Sequence, residues 1–421
     1  MRDDKKEEKM PKEKIIVGLD VGTCNIRAAV AMAKENAAPQ ILGVGKVASL
    51  GLRKGVVVDI EETVKGIKEA LRLAERISGY EIDRVFVSVG GSHISCKMSK
   101  GVIAVSRADG EISQEDKERA INAASAISLQ PNREILHVLP RRFTVDNQDS
   151  IKDPVGMSGV RLETDALIVE GSTPFIKNLI KCVRDAGVDE AGLLLSPLAD
   201  SRAVLTKRQK ELGVLLLDLG GGTTGLSVFE EGDILHCQIL PVGSMHITND
   251  IAIGLRTSIE TAEKLKLEYG SALPEVISKK EMIDLTRVGE AEGQASRLQL
   301  AEIIEARVCE LLDLVNKELK KIDRAGLLPA GVVLVGGGAK LPGLVELVKE
   351  KLKLPVQVGF PQGMEGVVDQ VDDPGFATVC GLIFSALNDE VKSNNRNPFE
   401  NLPDFAPTVD RMKKWIKGFI P

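Results

Sequence analysis

Asp218, Gly220, Gly221, Gly222, Thr223 and Thr224 interrupt an otherwise apolar run, Val214-Leu-Leu-Leu-Asp-Leu-Gly-Gly-Gly-Thr-Thr-Gly-Leu-Ser-Val-Phe229, and their types suit phosphate chemistry. The glycines can adopt positive φ and bring backbone N–H groups close to an anion. A carboxylate at Asp218 repels phosphate but suits a hydrated Mg²⁺, while the Thr223 and Thr224 hydroxyls suit phosphate oxygens. The apolar residues before Asp218 are too few for a helix, so the stretch reads as a β-hairpin. A diluted copy, Ile15-Ile-Val-Gly-Leu-Asp20-Val-Gly22-Thr23-Cys24-Asn25-Ile-Arg-Ala-Ala-Val30, repeats the order strand, Asp, Gly, Thr, strand. A third junction, Gly331-Val-Val-Leu-Val-Gly336-Gly337-Gly338-Ala-Lys-Leu-Pro342-Gly343, leads instead into a helix. Pro342 fits a first helical turn, and Leu344, Val345, Leu347 and Val348 recur at helical spacing. A glycine turn taken singly only turns the chain. Two hairpins and one strand-to-helix turn in this order describe two similar halves closing on one nucleotide.

The elements that must position these turns are legible between them. A chain of 421 residues, 43% hydrophobic, can bury several subdomain cores. A net charge of -6 and only 3% aromatics leave neither a cationic footprint nor stacking platforms, so no nucleic-acid partner is expected. Cys24, Cys96, Cys182, Cys237, Cys309 and Cys380 form no C-x-x-C pair, and His93, His137, His236 and His246 show no ligand spacing. Buried free thiols in a reducing compartment are expected, not a metal cluster or disulfide framework. No apolar run approaches the ~20 residues of a spanning helix, and no secretory signal is seen, which predicts a cytosolic chain.

Residues 1–14 read as a solvated charged tail. Gln40–Ala48 nearly matches a dinucleotide fingerprint but continues as strand. A helix is predicted over Ile60–Ser78, with Val64, Ile67, Leu71 and Ala74 on one face. Residues 85–169 read as an α+β insertion: strands at Lys97–Val105, Glu134–Val145 and Ala166–Glu170, and a helix Gln114–Ala126 capped by Ser113 and Asp116. Pro174–Ala186 is helical. Gly192–Leu205 begins a helix joining the halves, with Ser196 as N-cap before Pro197. Strands follow over Asp233–Val242, then helices over Ile247–Leu255 and Thr257–Gly270. In the latter, Glu263 and Lys266 share a face, which on pattern alone is equally well a solvated ion pair. Gln299–Leu319 is amphipathic, Phe376–Leu387 is a second joining helix, and 388–408 is a linker.

The three glycine segments resemble the two phosphate loops and the adenosine loop of the actin-like ATPase superfamily, and from Ile15 onwards the chain resembles its FtsA branch. The resemblance implies an α/β, two-lobed actin-like fold of duplicated ribonuclease-H-like domains. Subdomain 1A would span 15–84 and 170–208, an inserted 1C 85–169, 2A 209–250 and 321–387, and 2B 251–320. It implies ATP and Mg²⁺ between the lobes. Asp20, Gly22, Thr23, Cys24, Asn25, Asp218, Gly220, Gly221, Gly222, Thr223 and Thr224 would serve phosphates and, through water at Asp20 and Asp218, the metal. Glu263, Lys266, Gly336, Gly337 and Gly338 would serve the adenosine. Ser196 stands where many hydrolysing relatives place Glu or Gln, and Asn25 where many place Lys; both departures imply slow turnover. The implied partners are the FtsZ C-terminal tail on 2B, with Arg297 as a basic candidate, further copies of the chain in filaments, and later division proteins through 1C.

At the C-terminal end, Val409, Met412, Trp415, Ile416, Phe419 and Ile420 share one helical face, with Arg411, Lys413, Lys414 and Lys417 flanking or opposing it. That pattern suits a helix lying on anionic lipid, too short to span, and weak enough to need several copies for stable attachment. Joined to the resemblance, it implies a tether of FtsZ filaments to the cytoplasmic membrane at the division site. An actin-like pilus scaffold of the PilM type and a sugar kinase of the same fold are the alternatives. The terminal helix speaks against the first, and the lack of a motif for a general-base Asp against the second.

Overall fold

The computed structural model describes residues 14–34, 37–289 and 293–393. The expected tail up to residue 13, the linker from 394 and the terminal helix at 409–421 lie outside those residues.

The first lobe opens with the antiparallel strands β1 (Lys14–Val21), β2 (Asn25–Ala33) and β3 (Gln40–Ala48), so the tail ends one residue earlier than expected. A short hairpin of β4 (Leu52–Arg53) and β5 (Val56–Val57) leads to α1 (Ile60–Ser78) and β6 (Arg84–Val89). The insertion comprises β7 (Ser95–Ala104), α2 (Gln114–Ser125), β8 (Arg133–Val145), β9 (Gln148–Ile151) and β10 (Arg161–Ser172). The lobe then resumes with α3 (Thr173–Asp185), β11 (Asp189–Leu195) and α4 (Ser196–Val204). The second lobe runs through α5 (Lys207–Leu212), β12 (Val214–Leu219), β13 (Thr224–Glu230), β14 (Asp233–Leu240), α6 (Ser244–Leu255) and α7 (Ile259–Tyr269). It continues with the paired β15 (Met282–Asp284) and β16 (Gln294–Ser296), α8 (Arg297–Lys321), β17 (Val332–Val335), α9 (Leu344–Leu352) and β18 (Val356–Val358). β19 (Glu365–Gly366) returns to the first lobe, and α10 (Ala377–Ser393) closes the described chain.

The two main sheets repeat one topology. The first is ordered β11-β6-β1-β2-β3-β19 and the second β14-β13-β12-β17-β18. In each, an antiparallel three-strand meander (β1 to β3, β12 to β14) continues sideways into parallel strands (β6 and β11, β17 and β18). The first strand of each meander therefore lies centrally and is buried, as its apolar run requires. The insertion forms its own sheet, β7-β10-β8-β9, covered by α2, whose N-terminus carries the expected reciprocal cap between Ser113 and Asp116.

Gly43 and Gly45, which gave β3 its fingerprint-like look, serve packing. A Cβ at Gly45 would lie 1.9 Å from the Ala70 carbonyl oxygen, and one at Gly43 2.6 Å from the Ser78 nitrogen, so only glycine lets α1 lie this close to the strand. Three readings are corrected. Gly192–Leu195 is strand, not the start of a helix, because it pairs in parallel with β6. Pro342 is not in the first turn of a helix: a 3₁₀ turn at Gly337–Lys340 intervenes, and α9 begins at Leu344 behind Gly343 in the left-handed region. The second joining helix runs to Ser393, through the first residues assigned to the linker.

The insertion is fastened to the lobe that carries it by two neutral histidines. His93 Nδ1 accepts the Ser172 N–H at 3.2 Å, and His137 Nε2 accepts the Leu195 N–H at 3.1 Å. Burial, aided by Arg133 at His93 and Arg202 at His137, pushes both rings down to about 4 and preserves the acceptor nitrogens.

The lobes are joined where α4 crosses α10. Gly381 faces the α4 backbone so closely that a Cβ would lie 1.9 Å from the Ala199 carbonyl oxygen, and Thr378 Oγ1 donates to Asp200 Oδ1 at 2.7 Å. Gly381→Ala is expected to force the helices apart and to cost about 1–3 kcal/mol, the usual range for overpacking a tight core. Urea unfolding checks this; a midpoint matching the unaltered chain would show that the crossing yields freely.

Candidate functional site

A cavity of about 560 Å³ opens between the lobes. Its walls include Asp20, Gly22, Thr23, Cys24 and Asn25 from the first hairpin and Asp218, Gly220, Gly221 and Thr223 from the second. Glu263, Lys266, Gly336, Gly337 and Gly338 close it on the second lobe. The equivalent sheet positions of β1 and β12 explain the meeting of Asp20 and Asp218. Each is near the end of the first meander strand, just before the glycine turn, so the duplicated topology aims both at the same gap.

The two turns are in contact. A Cβ on Gly221 would fall 2.2 Å from Cys24 Sγ, and one on Gly336, whose φ is 82°, would fall 2.2 Å from Asp218 Oδ1. The second turn is braced from below by α6: the Ser244 and Met245 N–H groups donate to the Gly220 and Gly221 carbonyl oxygens at 2.9 and 2.8 Å. Thr23 Oγ1 accepts the Gly55 N–H at 2.9 Å, which ties the first turn to the β4–β5 hairpin.

Electrostatics at the cavity floor are dominated by burial. Asp20 accepts from Ser88 Oγ at 2.8 Å and pairs with Arg27 at 3.5 Å, yet desolvation still holds its carboxyl above the usual range. Asp218 is pushed up to about 7, first by burial and then by the charge of Asp20, against the pull of Arg27. Behind them, Asp200 is fully buried and raised well above the usual range by burial and by Asp218; its Oδ2 has no hydrogen-bond partner among the described residues. Two buried carboxylates, one of them paired with the Arg27 guanidinium, have the chemistry of an outer shell for a hydrated divalent cation. Among the described residues no group of three or more His, Cys, Asp or Glu is arranged for direct ligation.

Several expected residues take other roles. Thr224 is fully buried, and its hydroxyl donates to the Val242 carbonyl at 2.8 Å, so it faces away from the cavity. Strand alternation decides this: Thr223 lies in the turn and Thr224 is the first residue of β13. Gly222 is not on the wall either; it packs on Thr23 and Lys54. Lys266 and Glu263 are not a solvated pair, since Lys266 is buried and its ammonium reaches Glu263 Oε2 at 2.7 Å, Thr248 Oγ1 at 2.8 Å and the Ser244 carbonyl at 3.3 Å. Ser196 lines the cavity but caps nothing; Leu195 is the N-cap residue, and Ser196 Oγ donates to the Val89 carbonyl at 3.2 Å. Arg297 is engaged within its own lobe, with Glu281 at 2.5 Å and the Tyr269 carbonyl at 3.1 Å. Cys24 departs from the buried-thiol expectation and is exposed.

Arg27, Ser88, Asp200 and Thr378 escaped the sequence reading. Arg27 had a usable signal. It follows Asn25 by two along β2, hence on the same strand face, and brings to the cavity the positive charge that Asn25 lacks. The other three come from distant segments and are brought together only by the fold, Ser88 onto Asp20 and Thr378 onto Asp200.

A two-lobed α/β architecture with matched sheets about an interlobe cavity defines an actin-like protein, and solved structures agree. The PilM of a PilM–PilN type IV pilus biogenesis complex superposes with a TM-score of 0.65 at 17% identity over 88% of this chain and 98% of its own. MreB 5 of Spiroplasma citri bound to AMPPNP gives 0.55 at 15% identity over 91% of this chain and 100% of its own. Within that class, residues 215–381 match the family model "Cell division protein FtsA", and residues 91–170 match "SHS2 domain inserted in FTSA". The cell division protein FtsA of Pseudomonas aeruginosa is 38% identical over 96% of this chain and 98% of its own length. That of Bacillus subtilis is 39% identical over 94% and 90%, and that of Escherichia coli K12 34% over 96% and 98%. The chain belongs to the FtsA family of cell-division proteins.

The raised Asp218 carboxyl has a measurable sign. Because the folded protein binds this proton more tightly than the unfolded chain, the stability it contributes is present below the ordinary value of 3.8 and is lost as pH rises towards about 7. Asp218→Asn is expected to be the more stable form at pH 8, with the gap closing towards pH 4. Denaturant midpoints of both forms across that range check it; a gap independent of pH would contradict the assignment.

Proposed function

We propose that this FtsA-family chain binds ATP with Mg²⁺ between its lobes and tethers FtsZ filaments to the cytoplasmic membrane at the division site. One observation carries the nucleotide reading: glycine turns from both lobes meet over two desolvated carboxylates, in a cavity large enough for a nucleotide. Asp20 and Asp218 would hold the hydrated cation, which supplies charge neutralisation to a triphosphate. The backbone of Gly22, Gly220 and Gly221, with Thr23, Thr223 and Arg27, would receive the phosphates. Glu263 and Lys266, locked together by Thr248, would present fixed polar groups to the ribose, beside Gly336, Gly337 and Gly338. Ser196 offers no base to a water, since its hydroxyl is spent on Val89, so the nucleotide serves to hold the lobes in one arrangement and hydrolysis is slow.

Family membership and the amphipathic pattern at residues 409–421 support the tether. Among the described residues no helix is long and apolar enough to cross a membrane. The sequence pattern around Trp415, with Arg411, Lys413, Lys414 and Lys417 for anionic headgroups, would supply the attachment. FtsZ would dock through its C-terminal tail on subdomain 2B, residues 251–320, which holds α7 and most of α8. The insertion would contact later division proteins, and further copies would add avidity in a filament.

With a fluorescent ATP analogue and Mg²⁺, Asp218→Asn is expected to weaken binding about tenfold, roughly 1.4 kcal/mol. Equal affinity in the two forms would remove the two-carboxylate reading. In co-sedimentation with anionic vesicles, the full chain is expected to carry FtsZ into the pellet and a chain ending at Thr408 to leave it in solution. Equal recovery with both chains would remove the anchor.

A further inference from the structure

The insertion lies in sequence wholly within the first lobe, between β6 and α3, yet it also touches the second. Arg142 on β8 pairs with Glu231, which occupies the β13–β14 turn, and Lys152 Nζ reaches Glu211 Oε1 at 3.5 Å. Cys96 of β7 packs in one apolar cluster with Cys237 of β14. The joint is thus a cationic edge of the insertion set against an anionic edge of the second lobe, over a small apolar contact.

Two groups inside this joint are unmatched. Arg141 Nε and Asp233 Oδ2 are both enclosed and lack a hydrogen-bond partner among the described residues, and burial holds the Asp233 carboxyl above its usual range against the pull of Lys152, Arg141 and Arg142.

The joint is also mechanically connected to the cavity. β13 starts at Thr224, directly after the turn that walls the cavity, and ends at Glu230, one residue before the pair with Arg142. At ~3.3 Å per residue the two ends are roughly 20 Å apart on one hydrogen-bonded strand. A rotation of the second lobe that carries Gly220–Thr223 away from the first hairpin must carry Glu231 with it. We infer that the Arg142–Glu231 joint is a latch on cleft opening, restraining lobe rotation from the far end of β13 and so setting how fast a bound nucleotide leaves. The inference rests on the nucleotide site proposed above and adds to it a control point outside the cavity.

Charge reversal at each side, and at both, separates the possibilities. Equilibrium binding and stopped-flow release of a fluorescent ATP analogue are measured on the full chain, on Arg142→Glu, on Glu231→Arg and on the double variant. Each single reversal is expected to speed release about fivefold, and the double variant, which restores an opposite-charge pair, to return within about twofold of the unaltered chain. Release at the unaltered rate in all three variants overturns the latch. So does acceleration in the singles without recovery in the double, because that pattern reports damage and not a pair. If the unaltered chain binds no nucleotide, the site reading falls and the latch with it; binding with unchanged release removes only the latch.

Discussion

Asp20 and Asp218 confront each other across a desolvated gap, and the arrangement around them answers that single electrostatic difficulty. Two like charges in a medium of low dielectric are tolerated only with a proton, a fixed cation or a bound one. Arg27 supplies the fixed cation and Ser88 a donor for Asp20, while Asp218 retains proton affinity near neutrality. Asp200 adds a third acid behind the pair, and Thr378 of the opposite joining helix satisfies one of its oxygens. The crossing of the two joining helices and the acidic floor of the cavity are consequently linked by hydrogen bonds and charge.

What could be seen in advance was whatever is written in neighbouring residues. Both Asp-Gly-Thr hairpins, the helix Ile60–Ser78 to its last residue, and the Ser113–Asp116 cap are local consequences of periodicity and turn chemistry. The family motifs added the two-lobed architecture. What failed was decided at a distance or by strand phase. Gly192–Leu195 looks like the approach to a helix until β6 lies beside it. Thr224 looks equivalent to Thr223 until the strand begins between them and turns its hydroxyl to Val242. The ion pair of Arg297 with Glu281, from a separate segment, is likewise not legible in the neighbouring residues.

The Lys266–Glu263 pair shows how an ambiguous pattern is settled by surroundings. Three residues apart on a helix, such a pair costs and contributes little in water. Here α7 packs against α6, so Thr248 and the Ser244 carbonyl complete the coordination of the buried ammonium. The result is a rigid polar corner in place of a flexible surface pair. A buried Lys with each of its hydrogens placed is poised to define an edge of the cavity without moving.

The fastening of the insertion bears on how such a chain comes to be assembled. His93 stands where the chain enters the module and Ser172 where it leaves, and they are bonded to each other; Arg133 spans both by donating to the His93 and Glu170 carbonyls, each at 3.1 Å. Its two ends are therefore pinned side by side, and the chain between them forms a separate four-stranded sheet. A module with adjoining ends can be exchanged as a cassette, replaced by another of different length or lineage, without disturbing the strand order of the host lobe. The variety of inserts that one ancestral two-lobed scaffold can carry is then limited by the surface each must present to β14, and not by the seam through which it is threaded.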